Sequence, residues 1–217
     1  MIRSPRALLG FGAAVLVAAP LIASAESIAF RLLQNQSRGT FKTDAPLETV
    51  VGNTAGNGIS GTLIADPARP QDAKGMVRVD MSMVKTGVDK RDADMLEPNF
   101  LDAKGNPEHK WVTFEVKGVE MGGPLELNKH VPAKIKGVLT VKGKPVERVA
   151  DGYVTYFKLS PEQVEAQKRF GFTSDNVKVR ARLGTLFTDH GMQIPQLLFL
   201  KVSNEIQIET DLTFVKQ

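Results

Sequence analysis

Few residues in this chain are of types that do chemistry, and their spacing removes most of the candidates. His109, His130 and His190 stand singly, none with a second histidine one helical turn away, so they assemble neither a zinc site nor His-based catalysis. Cysteine is absent altogether, which excludes thiolate metal sites and a disulfide framework. Gly56-Asn57-Gly58-Ile59-Ser60-Gly61 has the spacing of a dinucleotide-binding loop, but a strand pattern follows it where a helix would have to open. It reads as a glycine-rich turn. Ser60 sits in no nucleophile elbow, because position 62 is threonine. No catalytic residue and no metal ligand is assigned. What remains is one polar group, Thr86, Arg91 and Asp92, within KTGVDKRDADML. Arg91 and Asp92 suit a salt bridge or loop clamp that fixes a charged elbow; contact with a polar ligand head is the alternative.

The elements around that elbow are strands. GMVRVDMSMV places Val77, Val79, Met81 and Met83 on one face and Arg78, Asp80 and Ser82 on the other. Gly87 breaks the run, a short charged helical turn is expected from Asp89 to Leu96, and EPNFLDAKGNPE crosses to KWVTFEV, with Val112, Phe114 and Val116 inward. GVEMGGP then reads as a turn. The same alternation recurs in SIAFRLL, in ISGTLIA, and in AKIKGVLTVKGK with Ile135, Leu139 and Val141 inward. It returns in PVERVA, DGYVTYFKL, NVKVRARLGTLF with Val177 and Val179 inward, and EIQIETDLTFV with Ile206, Ile208 and Leu212 inward. The polar NQSRG predicts a bulge or bend, and Gly143-Lys144 a tight hairpin. Ser160-Pro161-Glu162-Gln163 carries the N-cap, first-turn proline and capping-box glutamine of a helix, which Gly171 closes. Strands with one apolar and one charged face, short spacings and two brief helices exclude a parallel α/β protein. An antiparallel barrel or a two-sheet sandwich satisfies the pattern equally well.

Residues 1–25 read as an export signal. Arg3 and Arg6 precede the apolar Ala7–Ala19, Pro20 breaks it, and Ala23-Ser24-Ala25 supplies a small-residue cleavage site. Residues 26–217 are then expected to form one domain. Cleavage removes two of the 28 basic residues and none of the 24 acidic ones, leaving 26 against 24. That balance excludes a nucleic-acid binder. The outward Lys and Arg rows are ordinary solvated surface, compatible with transient docking at an anionic membrane.

The run Ser82-x-x-x-Thr86-Gly87-x-x-x-Arg91-Asp92 resembles the signature of the YceI-like family, as do Met95, Phe100-Leu101-Asp102, Pro107 and Thr113-Phe114 after it. Gly137-x-Leu139-Thr140-Val141-x-Gly143 is similar to the family's second hallmark, and Leu186 through Ile194-Pro195 to Leu212 to its last loop and strand. Two departures stand out. Ala93-Asp94-Met95-Leu96 occupies the place where the family often has His and Leu, and the fold-back before Thr113 is longer. The resemblance implies a lipocalin-like antiparallel β-barrel of about eight strands, periplasmic, with a cavity for an isoprenoid chain such as a quinone or polyprenyl lipid.

On the residues alone, the inward set suits a dry packed core as well as a ligand chamber. The resemblance favours the chamber, lined by Val79, Met81, Met83, Val112, Phe114, Leu139, Val179 and Ile208, with Thr86, Arg91 and Asp92 at the elbow. It implies a carrier or store rather than an enzyme, with no cofactor beyond a bound isoprenoid lipid or quinone. The alternatives are an enzyme or scavenger acting on amphipathic molecules at the barrel mouth, or a stress-response structural module. Homodimerisation is left open.

Overall fold

In the computed structural model, which describes residues 27–197 and 200–217, apolar alternation builds the walls of a barrel. The strands are β1 (Ile28–Leu32), β2 (Arg38–Ala45), β3 (Glu48–Thr54), β4 (Ile59–Ala65), β5 (Lys74–Asp80), β6 (Val84–Lys85) and β7 (Trp111–Met121). They continue as β8 (Val131–Val141), β9 (Lys144–Lys158), β10 (Asp175–Leu186), β11 (Gln196–Leu197), β12 (Leu200–Lys201) and β13 (Glu205–Lys216). The order β1-β4-β5-β7-β8-β9-β10-β13 closes on itself through β1–β13, an antiparallel barrel of eight strands. The sandwich alternative is thereby removed.

The polar NQSRG stretch begins in a 3-10 turn, Gln34–Gln36, and enters β2 at Arg38, so that the edge of β13 passes from one strand to another. β1 pairs with Phe214–Lys216, and after the turn β2 pairs with Gln207–Asp211. The β2–β3 hairpin and the short β6 therefore extend the wall at one end, here called the upper end. The lower end is the one that β1 closes.

Two strand boundaries differ from the alternation reading. β7 does not turn after Val116; a register shift between Val116 and Gly118 leaves Lys117 unpaired, Gly118 pairs with Lys136, and the strand continues to Met121. PVERVA and DGYVTYFKL are one strand, β9, because Asp151-Gly152 stays in register with both neighbours. A Cβ at Gly152 would lie 2.0 Å from the Arg180 carbonyl oxygen, so the glycine marks a close approach between strands rather than a break. The β8–β9 hairpin turns through Lys142 and Gly143, both at positive φ, as a two-residue hairpin loop requires.

Helix α1 (Asp89–Asp94) is the elbow, and α2 (Pro161–Gln167) begins with the reciprocal Ser160–Gln163 capping box. Gly171, at φ 85°, closes the 3-10 turn that follows α2. The export signal expected at residues 1–25 lies outside the described residues.

Candidate functional site

Among the described residues, two apolar compartments lie in the interior, one above the other. The lower, of about 150 Å³, is walled by regular strands that bring in Phe30, Phe114, Leu139, Val154, Val179 and Phe214. The upper, of about 130 Å³, takes one side from Phe41, Met81 and Ile206. Its other side comes from irregular chain: Met95, Phe100 and Leu101 of the crossing after α1, and Phe187 and Met192 of the loop after β10. Val79, Val112, Ile208 and Thr210 border both compartments. Of the eight residues expected inward, Val79, Val112, Ile208, Phe114, Leu139 and Val179 border the lower compartment and Met81 the upper.

Met83 is the exception. Met81–Met83 is a 3-10 turn, capped by the Asp80 carboxylate, which accepts from the Ser82 amide at 3.0 Å. The turn ends the two-residue period, so Met83 points outward, stays partly exposed and packs over Gly56 and Gly58. The parity that places Met81 correctly stops one residue after it.

The side-chain hydroxyls of Tyr156, Thr210, Thr54 and Thr185, which border the cavity, are bonded within the protein. In the lower compartment the Tyr156 hydroxyl donates to the Asp175 carboxylate. That carboxylate also accepts from the Ser174 hydroxyl at 2.9 Å and lies 3.7 Å from both Lys158 and Lys216. Burial pushes the Tyr156 phenol well above its usual range, and the adjacent carboxylate adds to that. Burial works against ionisation of Asp175 too, but its hydroxyl donors and two lysines outweigh this and hold its carboxyl below the ordinary range. Thr210 donates to the Ala181 carbonyl, and Thr54 Oγ1 accepts from the Gly39 amide at 3.1 Å.

In the upper compartment Thr185 pairs with His190, which is wholly buried. The Lys144 carbonyl, 3.1 Å from Nδ1, can only accept, so Nδ1 carries the hydrogen. Nε2 then accepts from the Thr185 hydroxyl at 2.8 Å, and that oxygen accepts from Arg148. Burial lowers the His190 pKa; Arg148 and Lys144 act with it, while the Lys144 carbonyl and Asp189 oppose. A guest in either compartment would meet carbon almost everywhere.

The elbow's polar residues serve the elbow. Asp92 is buried and accepts from the Thr86 amide at 2.8 Å and the Thr86 hydroxyl at 2.7 Å, with Lys85 at 3.5 Å. Burial opposes its ionisation, yet these partners hold its carboxyl below the usual range. Arg91 does not pair with Asp92. It reaches Glu48 at the start of β3, 2.6 Å away, and ties the elbow to the β2–β3 hairpin. The crossing beyond α1 lies over the upper compartment and is held to its surroundings by few polar contacts: Lys142 to the Pro98 carbonyl, the Gln193 amide to the Asn99 carbonyl, and Lys110 to Asp80.

The other two histidines lie apart, His130 on Thr155 and His109 beside Asn106. Among the described residues no group of three or more His, Cys, Asp or Glu is placed to hold a metal ion. Alternation could not have found the apolar crossing residues or the Tyr156–Asp175 and Thr185–His190 pairs, since loops carry no period and both pairs form only across the folded barrel.

The sequence profile of the YceI-like domain matches residues 30–214. Among solved structures, a polyisoprenoid-binding domain from Saccharophagus degradans implicated in plant cell wall breakdown aligns with a TM-score of 0.62 at 12% identity, covering 88% of this chain and 99% of that one. BcnA of Burkholderia cenocepacia aligns at 0.60 and 15%, covering 83% and 97%. The YceI protein of Campylobacter jejuni aligns at 0.58 and 18%, covering 78% and 86%. At these identities the structures establish a shared fold. No curated protein sequence matches the chain.

Proposed function

The chain belongs to the YceI-like family, and from that premise we propose that it is an exported lipid-binding protein that holds an isoprenoid chain in its barrel, as carrier or store. One observation carries the reading: the interior is a two-compartment cavity lined almost wholly by carbon, where the Tyr156, Thr185 and Thr210 hydroxyls are already bonded within the protein. Each buried methylene of a guest contributes roughly 0.8 kcal/mol, and losses from ordering the chain take back several kcal/mol. Such a site recognises the tail and leaves the head group to solvent. The polyisoprenoid-binding description of the Saccharophagus degradans domain supports the same ligand class.

The test is solvent extraction of purified protein followed by mass spectrometry, with Val179→Phe as the variant. Val179 borders the lower compartment, so a phenylalanine there should occupy ligand space while the fold survives. Stripped of lipid, the two proteins should melt together, and the variant should retain far less extractable lipid. A ligand bound only by the folded state also stabilises it, so wild type alone should lose stability on stripping. Unchanged wild-type stability together with a badly destabilised variant would mean an overpacked core and the end of the carrier reading. Periplasmic export is part of the proposal, and N-terminal sequencing of periplasmic material should find Glu26 first. Transient docking at an anionic membrane through the outward Lys and Arg rows completes it.

A further inference from the structure

The division of the cavity limits the ligand. Each compartment, about 150 and 130 Å³, matches the size of an engineered apolar cavity that binds a single benzene ring, roughly one isoprene unit's worth of carbon. Between them runs a waist. Val79 and Val112 face each other across β5 and β7 on one side, and Ile208 and Thr210 of β13 stand on the other. Opposite Thr210 in the β13–β2 register is Gly39, buried and without a side chain to offer. A Cβ built there would stand 3.5 Å from Thr54, 3.6 Å from Ile59 and 3.8 Å from Val79, ordinary contact distances. Position 39, as glycine, adds no side chain beside Val79 at this waist, whose other members are all branched.

We propose that this protein selects short isoprenoid tails of about two to three units, one in each compartment and at most one more across the Gly39–Val79–Val112–Ile208 waist that joins them. The proposal rests on the carrier reading and adds a length limit and the residue that sets it. A longer tail gains nothing beyond the third unit, because the surplus stays in water or must displace the crossing that covers the upper compartment.

The experiment measures dissociation constants for prenol, geraniol, farnesol, geranylgeraniol and solanesol, an ascending series of isoprenoid alcohols, delivered from cyclodextrin to lipid-stripped protein. Affinity should rise by at least about tenfold per unit from prenol to farnesol and then stay level. Gly39→Leu should close the waist and move the plateau back to geraniol or shorter. Gly39→Ala adds only the Cβ and should weaken farnesol several-fold without a change in melting. Val112→Ala should widen the waist and carry the rise on to geranylgeraniol. A rise that continues from farnesol to solanesol in the wild type overturns the length limit. Farnesol binding by folded Gly39→Leu equal to wild type overturns the waist. Failure of every alcohol to bind removes the carrier reading itself and this proposal with it, a different result from either of the other two.

Discussion

The lower and upper compartments hold similar volumes but are built from different materials. Around the lower one, all but a few wall residues (Asp66, Pro67, Pro70, Ala73 and Leu125) sit on strands of the closed barrel, and Phe30, the largest fully buried side chain, is 1% exposed. Around the upper one, a larger share of the wall is irregular chain, closed by Met95, Phe100, Leu101, Phe187 and Met192 and fastened by scattered side-chain and single backbone contacts. A wall of ladder hydrogen bonds opens only when the protein unfolds, whereas a loop wall opens locally. The lower compartment is therefore the more rigid half of the cavity, and on the proposed carrier function a guest would exchange through the upper half.

The comparison can be broken most severely at its rigid side. Phe30→Ala should cost about 3–5 kcal/mol in urea unfolding and loosen the whole barrel, as removal of a fully buried phenylalanine does. Phe100→Ala, in the half-buried crossing, should cost clearly less and leave the β8–β9 ladder protected in hydrogen exchange. Equal costs would erase the distinction between the halves. Next in size is Asp92→Ala. It strands the Thr86 hydroxyl and amide in a partly buried site and should cost about 1–3 kcal/mol. The faster exchange it causes should stay confined to the elbow and the crossing.

Acid should separate the halves without mutation. His190 has a folded pKa lowered by burial, so below its ordinary value of 6.5 the unfolded chain takes up a proton that the folded one resists. Its contribution to stability is complete above that pH and declines as the pH falls, by at most about 1.4 kcal/mol per pH unit. Asp92 and Asp175 have lowered folded pKa values and begin to lose their contribution only as the pH falls below about 3.8, their ordinary value. The loop beside the upper compartment should thus loosen first, between about pH 6.5 and 4. His190→Gln should flatten that part of the stability profile and leave the steeper acid limb in place. The smallest effect belongs to Arg91→Ala. Its bond to Glu48 is partly solvated on both sides, so about 0.5–1 kcal/mol is expected in thermal unfolding, with ligand chemistry unchanged.

The same contrast divides what the sequence revealed from what it concealed. Val79, Val112, Leu139, Val179 and Ile208 could be assigned inward by counting in twos, because a strand keeps its side-chain parity for as long as it stays extended. Met83 failed at the first turn that was not extended. The Ser160 capping box and the Gly171 stop were legible because caps are local chemistry, complete within a few residues. Phe187 and Met192 were not, since a loop side chain turns inward only because a barrel is there to receive it. His190 looks isolated in sequence, and its partners Lys144 and Thr185 meet it only when β9 and β10 stand side by side. A closed antiparallel barrel is also more than alternation can give, since a sandwich would alternate in the same way.

The sharing of β13 between β1 and β2 has a consequence in time as well as in space. Ser37 and Thr213 bond to each other across 176 positions of chain, and β1 closes the ring on the same strand. Contacts this distant in sequence are slow to find, because the intervening chain must be gathered before any of them forms. Until they form, β1 and β13 are bare edges open to pairing with another molecule. The barrel is thus sealed late, and the interval before sealing is when the chain is most exposed to aggregation and when its interior is most open to a hydrophobic guest.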